Sequence, residues 1–286
     1  MKIDAKTKLV ALLGHPVGHS FSPLMHNAAF EDLGLNYRYV AFDVMPDNLG
    51  EAVAGVRALG LAGVNVTVPH KENVIQYLDE VSSEASFIGA VNTVVNENGR
   101  LKGYNTDGRG FMRSLEEEGI SAEGARVLIC GAGGAARAVG YYLSEKASLV
   151  TLFDVVREKA EALSAVLCKR GNVACVESLE KALPAADIVI NATPIGLKEG
   201  DPLPFDLSAV GPEKVVGDLI YRETPLLREA ASKGCRVFNG LGMLIWQGAL
   251  AFECRQQNVA AIFHVSSSVS LYAADSAYAA DSVNSP

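Results

Sequence analysis

The sequence predicts a two-domain α/β protein, an N-terminal α/β domain followed by a doubly wound one. Three observations carry that expectation. The chain has 286 residues, too many for one ordinary core and enough for two domains of about 100–200 residues each. Short apolar runs alternate with segments of helical period, the signature of parallel βαβ units. A glycine-rich turn, Gly131-Ala132-Gly133-Gly134, stands between an apolar run and a helical segment. The composition, 49% apolar and 20% charged residues, is that of a globular chain.

The elements follow in order. Residues 8–13 read as a first strand. Ser22-Pro23 reads as an N-cap with proline in the first turn of a helix to about residue 33. Residues 37–43 form a second strand, and 47–59 a helix with Val53, Val56 and Leu59 on one face. Residues 63–66 form a third strand running into Thr67-Val68-Pro69-His70-Lys71, after which a helix is expected. Residues 91–104 read as a hairpin turned by Asn98-Gly99. The helix 108–118 leads into the second unit, with strands at 126–130, 149–153, 188–190, 215–219 and 236–238. Helices are expected at 135–145, 157–169 and 224–232, the order of a Rossmann-type domain. An apolar helix at 243–253 is read as returning to the first domain. The boundaries are therefore 1–107, completed by about 242–264, for the first domain and 108–241 for the second. Residues 265–286, rich in Ser and Ala without a sustained apolar face, read as a disordered tail.

Several function classes fall away. A net charge of −8 without a Lys/Arg cluster disfavours nucleic acid. No run reaches the roughly 20 apolar residues of a membrane helix, and the N-terminal segment lacks a signal-peptide pattern, so a cytoplasmic protein is expected. The five cysteines and five histidines show no metal-ligand spacing, and no metal is expected. Cys130 reads as a small buried hydrophobe rather than a reactive thiol.

The glycine turn carries the first specific chemistry. Gly131, Ala132, Gly133, Gly134 and Ala135 lie where a backbone must turn tightly, approach a pyrophosphate and open a helix whose free N–H groups attract it. Asp154, 20 residues after Gly134 at a strand end, stands where a carboxylate accepts from both hydroxyls of an adenosine ribose. That position favours NAD over NADP. Two other readings stay open here: Asp154 as an N-cap of the next helix, and Arg157 as a partner for a 2′-phosphate.

Polar clusters at loop positions of the first domain identify a family. They are His19-Ser20-Phe21-Ser22, Asn65-Val66-Thr67-Val68-Pro69-His70-Lys71, Gly89-Ala90-Val91-Asn92-Thr93 and Asn105-Thr106-Asp107-Gly108. With Asn191-Ala192-Thr193-Pro194-Ile195-Gly196 and the segment from Gly240 to Gly248, the sequence resembles the shikimate dehydrogenase family, which includes quinate/shikimate dehydrogenases. The match runs over roughly residues 8 to 253. The resemblance implies reversible reduction of 3-dehydroshikimate to shikimate with a nicotinamide dinucleotide. It implies Lys71 as the catalytic lysine and Asp107 as its partner carboxylate. It implies Ser20 and Ser22 for the substrate carboxylate, Tyr221 near it, and Asn65, Thr67, Asn92 and Gln247 for the hydroxyls and ring. Thr193, Gly240 and Met243 then fall on the nicotinamide side. The packing and capping readings of these residues are ordinary: Ser22 and Asp107 as N-caps, Met243 as core.

Two features depart from the family pattern. The turn after the second Rossmann strand reads Asp154-Val155-Val156 where NADP users of the family have an Asn-Arg-Thr-like basic turn, and the chain beyond Glu253 does not resemble the family's closing helix. The cofactor expectation is NAD or NADP, with Asp154 favouring NAD. Rival readings are an NAD-using quinate enzyme of the same superfamily, a methyltransferase with a similar loop, and a dinucleotide-sensing protein without catalysis. The last two do not require Lys71 with Asp107. The expected partners are small molecules, and the chain is expected to be a monomer or a homodimer.

Overall fold

A computed structural model describes residues 3–18 and 20–256, Gln256 by its backbone alone. His19 and the tail expected at 265–286 lie outside the described residues. The chain divides into two compact units, Met1–Thr106 with Ile245–Pro286, and Asp107–Leu244.

The first unit contains β1 (Lys8–Gly14), α1 (Ser22–Asp32), β2 (Tyr37–Asp43), α2 (Leu49–Ala58), β3 (Gly63–Val66), β4 (Glu80–Val81), α3 (Ser83–Ile88), β5 (Thr93–Glu97) and β6 (Arg100–Tyr104). The sheet order is β2-β1-β3-β5-β6-β4. β1 lies parallel to both β2 and β3, while β5 runs antiparallel to β3 and to β6. The run Val10-Ala11-Leu12-Leu13 is buried throughout because side chains alternate across a sheet covered on both faces. Ala11 and Leu13 pack with Val53, Val56, Val64 and Val66. Val10 and Leu12 pack on the other face with Phe30, Tyr39 and Phe252.

The second unit contains α4 (Asp107–Glu117), β7 (Arg126–Cys130), α5 (Gly134–Lys146), β8 (Leu149–Phe153), α6 (Arg157–Leu167), β9 (Val173–Cys175), α7 (Leu179–Ala185), β10 (Ile188–Asn191), β11 (Val215–Asp218), α8 (Pro225–Ser232) and β12 (Arg236–Phe238). Its sheet, β12-β11-β10-β7-β8-β9, is parallel throughout. Counted from β7, this is the doubly wound 3-2-1-4-5-6 order of the Rossmann fold. Cys130 closes β7 fully buried, and burial pushes its thiol up to about 12, as a small core hydrophobe requires. The final helix, α9 (Leu241–Gln256), contributes its residues from Ile245 onward to the first unit. Among the described residues no helix is long and apolar enough to cross a membrane, and no His/Cys/Asp/Glu group is placed to hold a metal.

Local expectations are corrected or refined at several points. Ser22 does not cap α1: it is the first helical residue, the cap position is Phe21, and the backbone N–H of Ser22 donates to Ser20 Oγ. Leu59 is not on the core face of α2, because the helix ends at Ala58 and Leu59 is 79% exposed. The helix expected between Lys71 and the hairpin is α3, and the residues directly after Lys71 form a 3₁₀ turn, Asn73–Tyr77, in which Val74 is buried. The sequence also gave no sign of β9 or α7. β9 is a three-residue edge strand without a fully buried side chain, and α7 carries Pro184.

His26, on α1, is buried and stacks on Tyr39 at 4.4 Å. Burial, and next the charge of Arg255, lower its pKa to about 3. The unfolded chain protonates this histidine below about 6.5, so between pH 6.5 and about 3 the unfolded state binds the extra proton. His26 therefore adds stability above that window, and the contribution is lost as pH falls through it. We expect His26→Gln to remove a slope of about 1.4 kcal/mol per pH unit from the acid limb of a urea-unfolding pH series. An unchanged slope would show that the histidine protonates in the folded protein.

Candidate active site

In the first unit, the polar residues gather at the carboxyl ends of the strands. Pairing of β3 with β5 sets Asn65 opposite Thr93, and the N–H of Val66 donates to the carbonyl of Asn92 at 2.9 Å. Asn92 is buried and acts as a hub. Its Oδ1 accepts from the Thr106 N–H and the Thr93 hydroxyl, each at 2.9 Å, and its Nδ2 donates to Thr106 Oγ1 at 3.0 Å and to Gln247 Oε1 at 3.4 Å. The Thr106 hydroxyl reaches the Gln247 carbonyl at 3.0 Å, which fixes α9 against this strand end.

A second chain of bonds runs through Asn65. The Tyr39 hydroxyl is bonded to the Ser22 side chain and donates to Asn65 Oδ1 at 3.0 Å. Asn65 Nδ2 donates to the Asn92 carbonyl and to Thr93 Oγ1. Lys71 is half-buried, and its carbonyl accepts from the Val91 N–H at 2.8 Å, next to Asn92. The neighbouring His70 is buried and its Nε2–H donates to the Val44 carbonyl at 2.7 Å, which anchors the lysine's loop. Half-buried Thr67 is held by its N–H on the Leu13 carbonyl. Thus Ser22, Asn65, Asn92 and Gln247 share connected networks, Lys71 and Thr67 flank them by backbone bonds, and half-buried Ser20 is tied to Ser22. Tyr39, Thr93 and Thr106 belong to the same networks but were not singled out. Thr93 and Thr106 stood inside quoted motifs, whereas Tyr39 looked like any strand aromatic.

In the second unit, the glycine turn has the shape an anion needs. Gly131 has φ +111°, and a Cβ there would lie 2.8 Å from the Ala192 carbonyl oxygen, so only glycine fits. A Cβ on Gly133 or Gly134 would meet nothing within 4 Å. The N-cap of α5 is Gly133, with no side chain bonded to the first-turn N–H groups. Ala132 and Ala135 add only methyl groups beside the open glycines, and the turn fits a dinucleotide pyrophosphate.

Asp154 is not the cap of α6, which starts after Val156. Its Oδ2 accepts from the Ala132 N–H and its Oδ1 from the Val156 N–H, both at 2.8 Å, so the carboxylate is fixed between the glycine turn and the end of β8. Arg157 is paired with Glu161 and Glu177, and Val155 and Val156 are exposed. At the end of β10, the Thr193 hydroxyl donates to Asn191 Oδ1 at 2.7 Å. Gly240 donates to the Ile220 carbonyl, and a Cβ there would lie 2.1 Å from the Leu219 oxygen. Met243 is buried, and half-buried Tyr221 has its phenol pKa raised by burial. Asp107 is buried as the first residue of α4.

Residues 12–94 match the family model of the shikimate dehydrogenase substrate binding domain. The shikimate dehydrogenase (NADP(+)) of Methanocaldococcus jannaschii is 48% identical over 261 residues, covering 88% of this chain and 92% of its own. The chain belongs to the shikimate dehydrogenase family. A solved shikimate dehydrogenase in complex with NADP+ matches with a TM-score of 0.86 at 44% identity, over 94% of this chain and 96% of that one. Shikimate 5-dehydrogenase from Listeria monocytogenes, in complex with shikimate and NAD, matches at 0.84 and 38% identity, over 93% and 97% of the two chains.

One residue of this family member sits where its charge is hard to accommodate. Arg255, near the end of α9, sends Nη2 to Asn65 Oδ1 at 2.7 Å, while its buried Nε and Nη1 have no partner among the described residues. Burial lowers its pKa. Asn65 Oδ1 therefore accepts two bonds, from Tyr39 and Arg255, and all four of its hydrogen-bonding positions are used within the unit. Nothing in the sequence marked Arg255, which lies beyond the resemblance. Among the described residues no anion offsets the desolvation of this guanidinium, and an unpaired buried charge is strongly destabilising. Arg255→Met, which keeps the volume, is expected to raise the free energy of unfolding by about 1–4 kcal/mol in urea denaturation. A lower stability would mean that the guanidinium bond to Asn65 outweighs its desolvation.

Proposed function

We propose that the protein catalyses the reversible, dinucleotide-dependent reduction of 3-dehydroshikimate to shikimate, as a cytoplasmic monomer or homodimer acting on small molecules. The observation that carries this is the polar network at the strand ends of the first unit. Shikimate has a carboxylate and three hydroxyls, and Ser22, Thr67, Asn92 and Gln247 offer neutral donors and acceptors of that chemistry around the Lys71 loop. A methyltransferase would have no use for them.

In this reading Lys71 is the proton donor. Its ammonium stabilises negative charge on the carbonyl oxygen and gives up a proton there; in the oxidative direction the neutral amine takes the proton back. Asp107 supplies the partner carboxylate and accepts from a substrate hydroxyl. Ser20 and Ser22 donate to the substrate carboxylate, with Tyr221 near it. Asn65, like Asn92, serves the substrate's hydroxyls and ring, each trading one of its internal bonds for one to the substrate. A nicotinamide dinucleotide supplies the hydride when bound. Gly131–Ala135 would hold its pyrophosphate, Asp154 its adenosine ribose, and Thr193, Gly240 and Met243 its nicotinamide side.

NAD is the preferred cofactor in this proposal, although the relative from Methanocaldococcus jannaschii is named for NADP(+). The turn after β8 presents a fixed carboxylate and two exposed valines, and its arginine is engaged by two glutamates. A 2′-phosphate placed there meets like charge, and the arginine of that turn is already paired.

Steady-state turnover of shikimate and of quinate, each with NAD and NADP, tests the function. We expect shikimate oxidation fastest with NAD, and no turnover of shikimate with either dinucleotide would sink the proposal. Lys71→Ala should lower kcat by about 10²–10⁴-fold with KM little changed; wild-type turnover in that variant would remove the lysine from its role. For the cofactor, Asp154→Ala is expected to narrow the NAD-to-NADP ratio of kcat/KM, whereas an unchanged ratio would leave Asp154 as a fastener of the glycine turn alone.

A further inference from the structure

The second unit contains a buried carboxylate to which no role has been assigned. Asp218, the last residue of β11, is fully buried, and burial raises its pKa. No cation is paired with it among the described residues. Three donors meet it instead: the Asn191 Nδ2–H on Oδ1 at 3.1 Å, the Ile220 N–H on Oδ1 at 3.1 Å, and the Thr224 hydroxyl on Oδ2 at 2.8 Å. Thr224 is in turn the N-cap of α8.

The bond to Asn191 has a consequence one loop away. With its amide nitrogen on Asp218 and on the Ile195 carbonyl, Asn191 must point Oδ1 at the following segment. There it accepts both the backbone N–H of Thr193, at 3.0 Å, and the Thr193 hydroxyl, at 2.7 Å. Thr193 Oγ1 then accepts from the Ile195 N–H at 3.2 Å. An amide whose two ends were free to exchange would not specify this arrangement. The carboxylate and the Ile195 carbonyl can only accept and the Thr193 N–H can only donate, so the three together fix the amide.

We propose that Asp218 is a positioning residue, fixing the Ala192–Gly196 segment through Asn191 and thereby setting Thr193 on the nicotinamide side. This rests on the functional reading of Thr193 given above. The same carboxylate holds the Ile220 N–H, so the backbone leading to Tyr221 and the carbonyl that accepts from Gly240 are set by the same residue. Loops at the carboxyl end of the sheet thus take their register from one buried group, and a change there acts on dinucleotide affinity without touching the dinucleotide.

The test uses the full chain as wild type, Asp218→Ala, Asp218→Asn, Asn191→Ala and the double alanine variant. Binding of reduced dinucleotide is read by fluorescence titration, and amide hydrogen exchange is followed over residues 192–196. Asp218→Ala is expected to raise the dinucleotide Kd about tenfold and to speed exchange at Thr193 and Ile195. Asp218→Asn still offers acceptors to Asn191 and Ile220 and a donor to Thr224, and should recover most of that loss. The double variant should be no weaker than the poorer single one, because both substitutions break one chain of bonds. An Asp218→Ala effect confined to the melting temperature, with Kd and exchange over 192–196 unchanged, overturns the proposal. So do fully additive effects of the two alanines. Wild-type protein that turns over no shikimate refutes the functional reading instead, while faster exchange over 192–196 in Asp218→Ala would still support the relay.

Discussion

A polar side chain withdrawn from water must find its hydrogen-bond partners inside the protein, and here that requirement organises the ends of both sheets. An unsatisfied buried group costs about 1–3 kcal/mol, a large share of a domain's net stability. Asn65 and Asn92 in the first unit, and Asn191 with Asp218 in the second, are all nearly inaccessible and all heavily bonded. Some of their bonds fix the turn that follows, and others join one strand end to another loop. Rigidity of these loops is a consequence of burial, and preorganised loops are what a binding site needs.

The two units reach this result with different groups. In the first, neutral amides and hydroxyls form the network, and the closing bonds reach Gln247 on α9, far away in sequence. In the second, a buried carboxylate that accepts from the asparagine beside it and from the Ile220 N–H joins two backbone groups in fixing that asparagine. Neutral groups suit a polyhydroxylated ligand because they can serve as donor or acceptor in turn. An acceptor-only anchor suits a loop whose orientation must not vary. Arg255 runs against this economy: it adds a donor to an asparagine already supplied and leaves two of its own groups without partners among the described residues.

Much of this was legible in the sequence because it depends on local rules. The fully apolar run of β1 and the strand–glycine–helix passage at Cys130–Gly134 follow from side-chain alternation and from backbone sterics at one turn. So does the Asn98-Gly99 turn, whose residues both adopt positive φ. The proposed catalytic and substrate residues, among them Ser20, Ser22, Lys71, Asp107 and Gln247, were found through motif resemblance, since no local rule separates a ligand-binding serine from a capping one. Where local rules misled, the cause was a competing local geometry: Ser20 supplies the oxygen at the entry to α1, leaving Ser22 as a helical residue. The short edge strand β9 left no apolar pattern to read.

The sequence by itself determined the two-domain α/β architecture, the parallel second sheet, the glycine turn and the acidic residue after β8, because each is written in periodicity or in a backbone conformation open mainly to glycine. Only the tertiary structure decided which polar residues face one another. Tyr39 meets Asn65, Asp218 meets Asn191, and Arg255 meets Asn65 across 190 residues. The physical reason is that hydrogen bonds act over about 3 Å, so a side chain's partners depend on strand register and helix docking, which no local stretch of sequence contains.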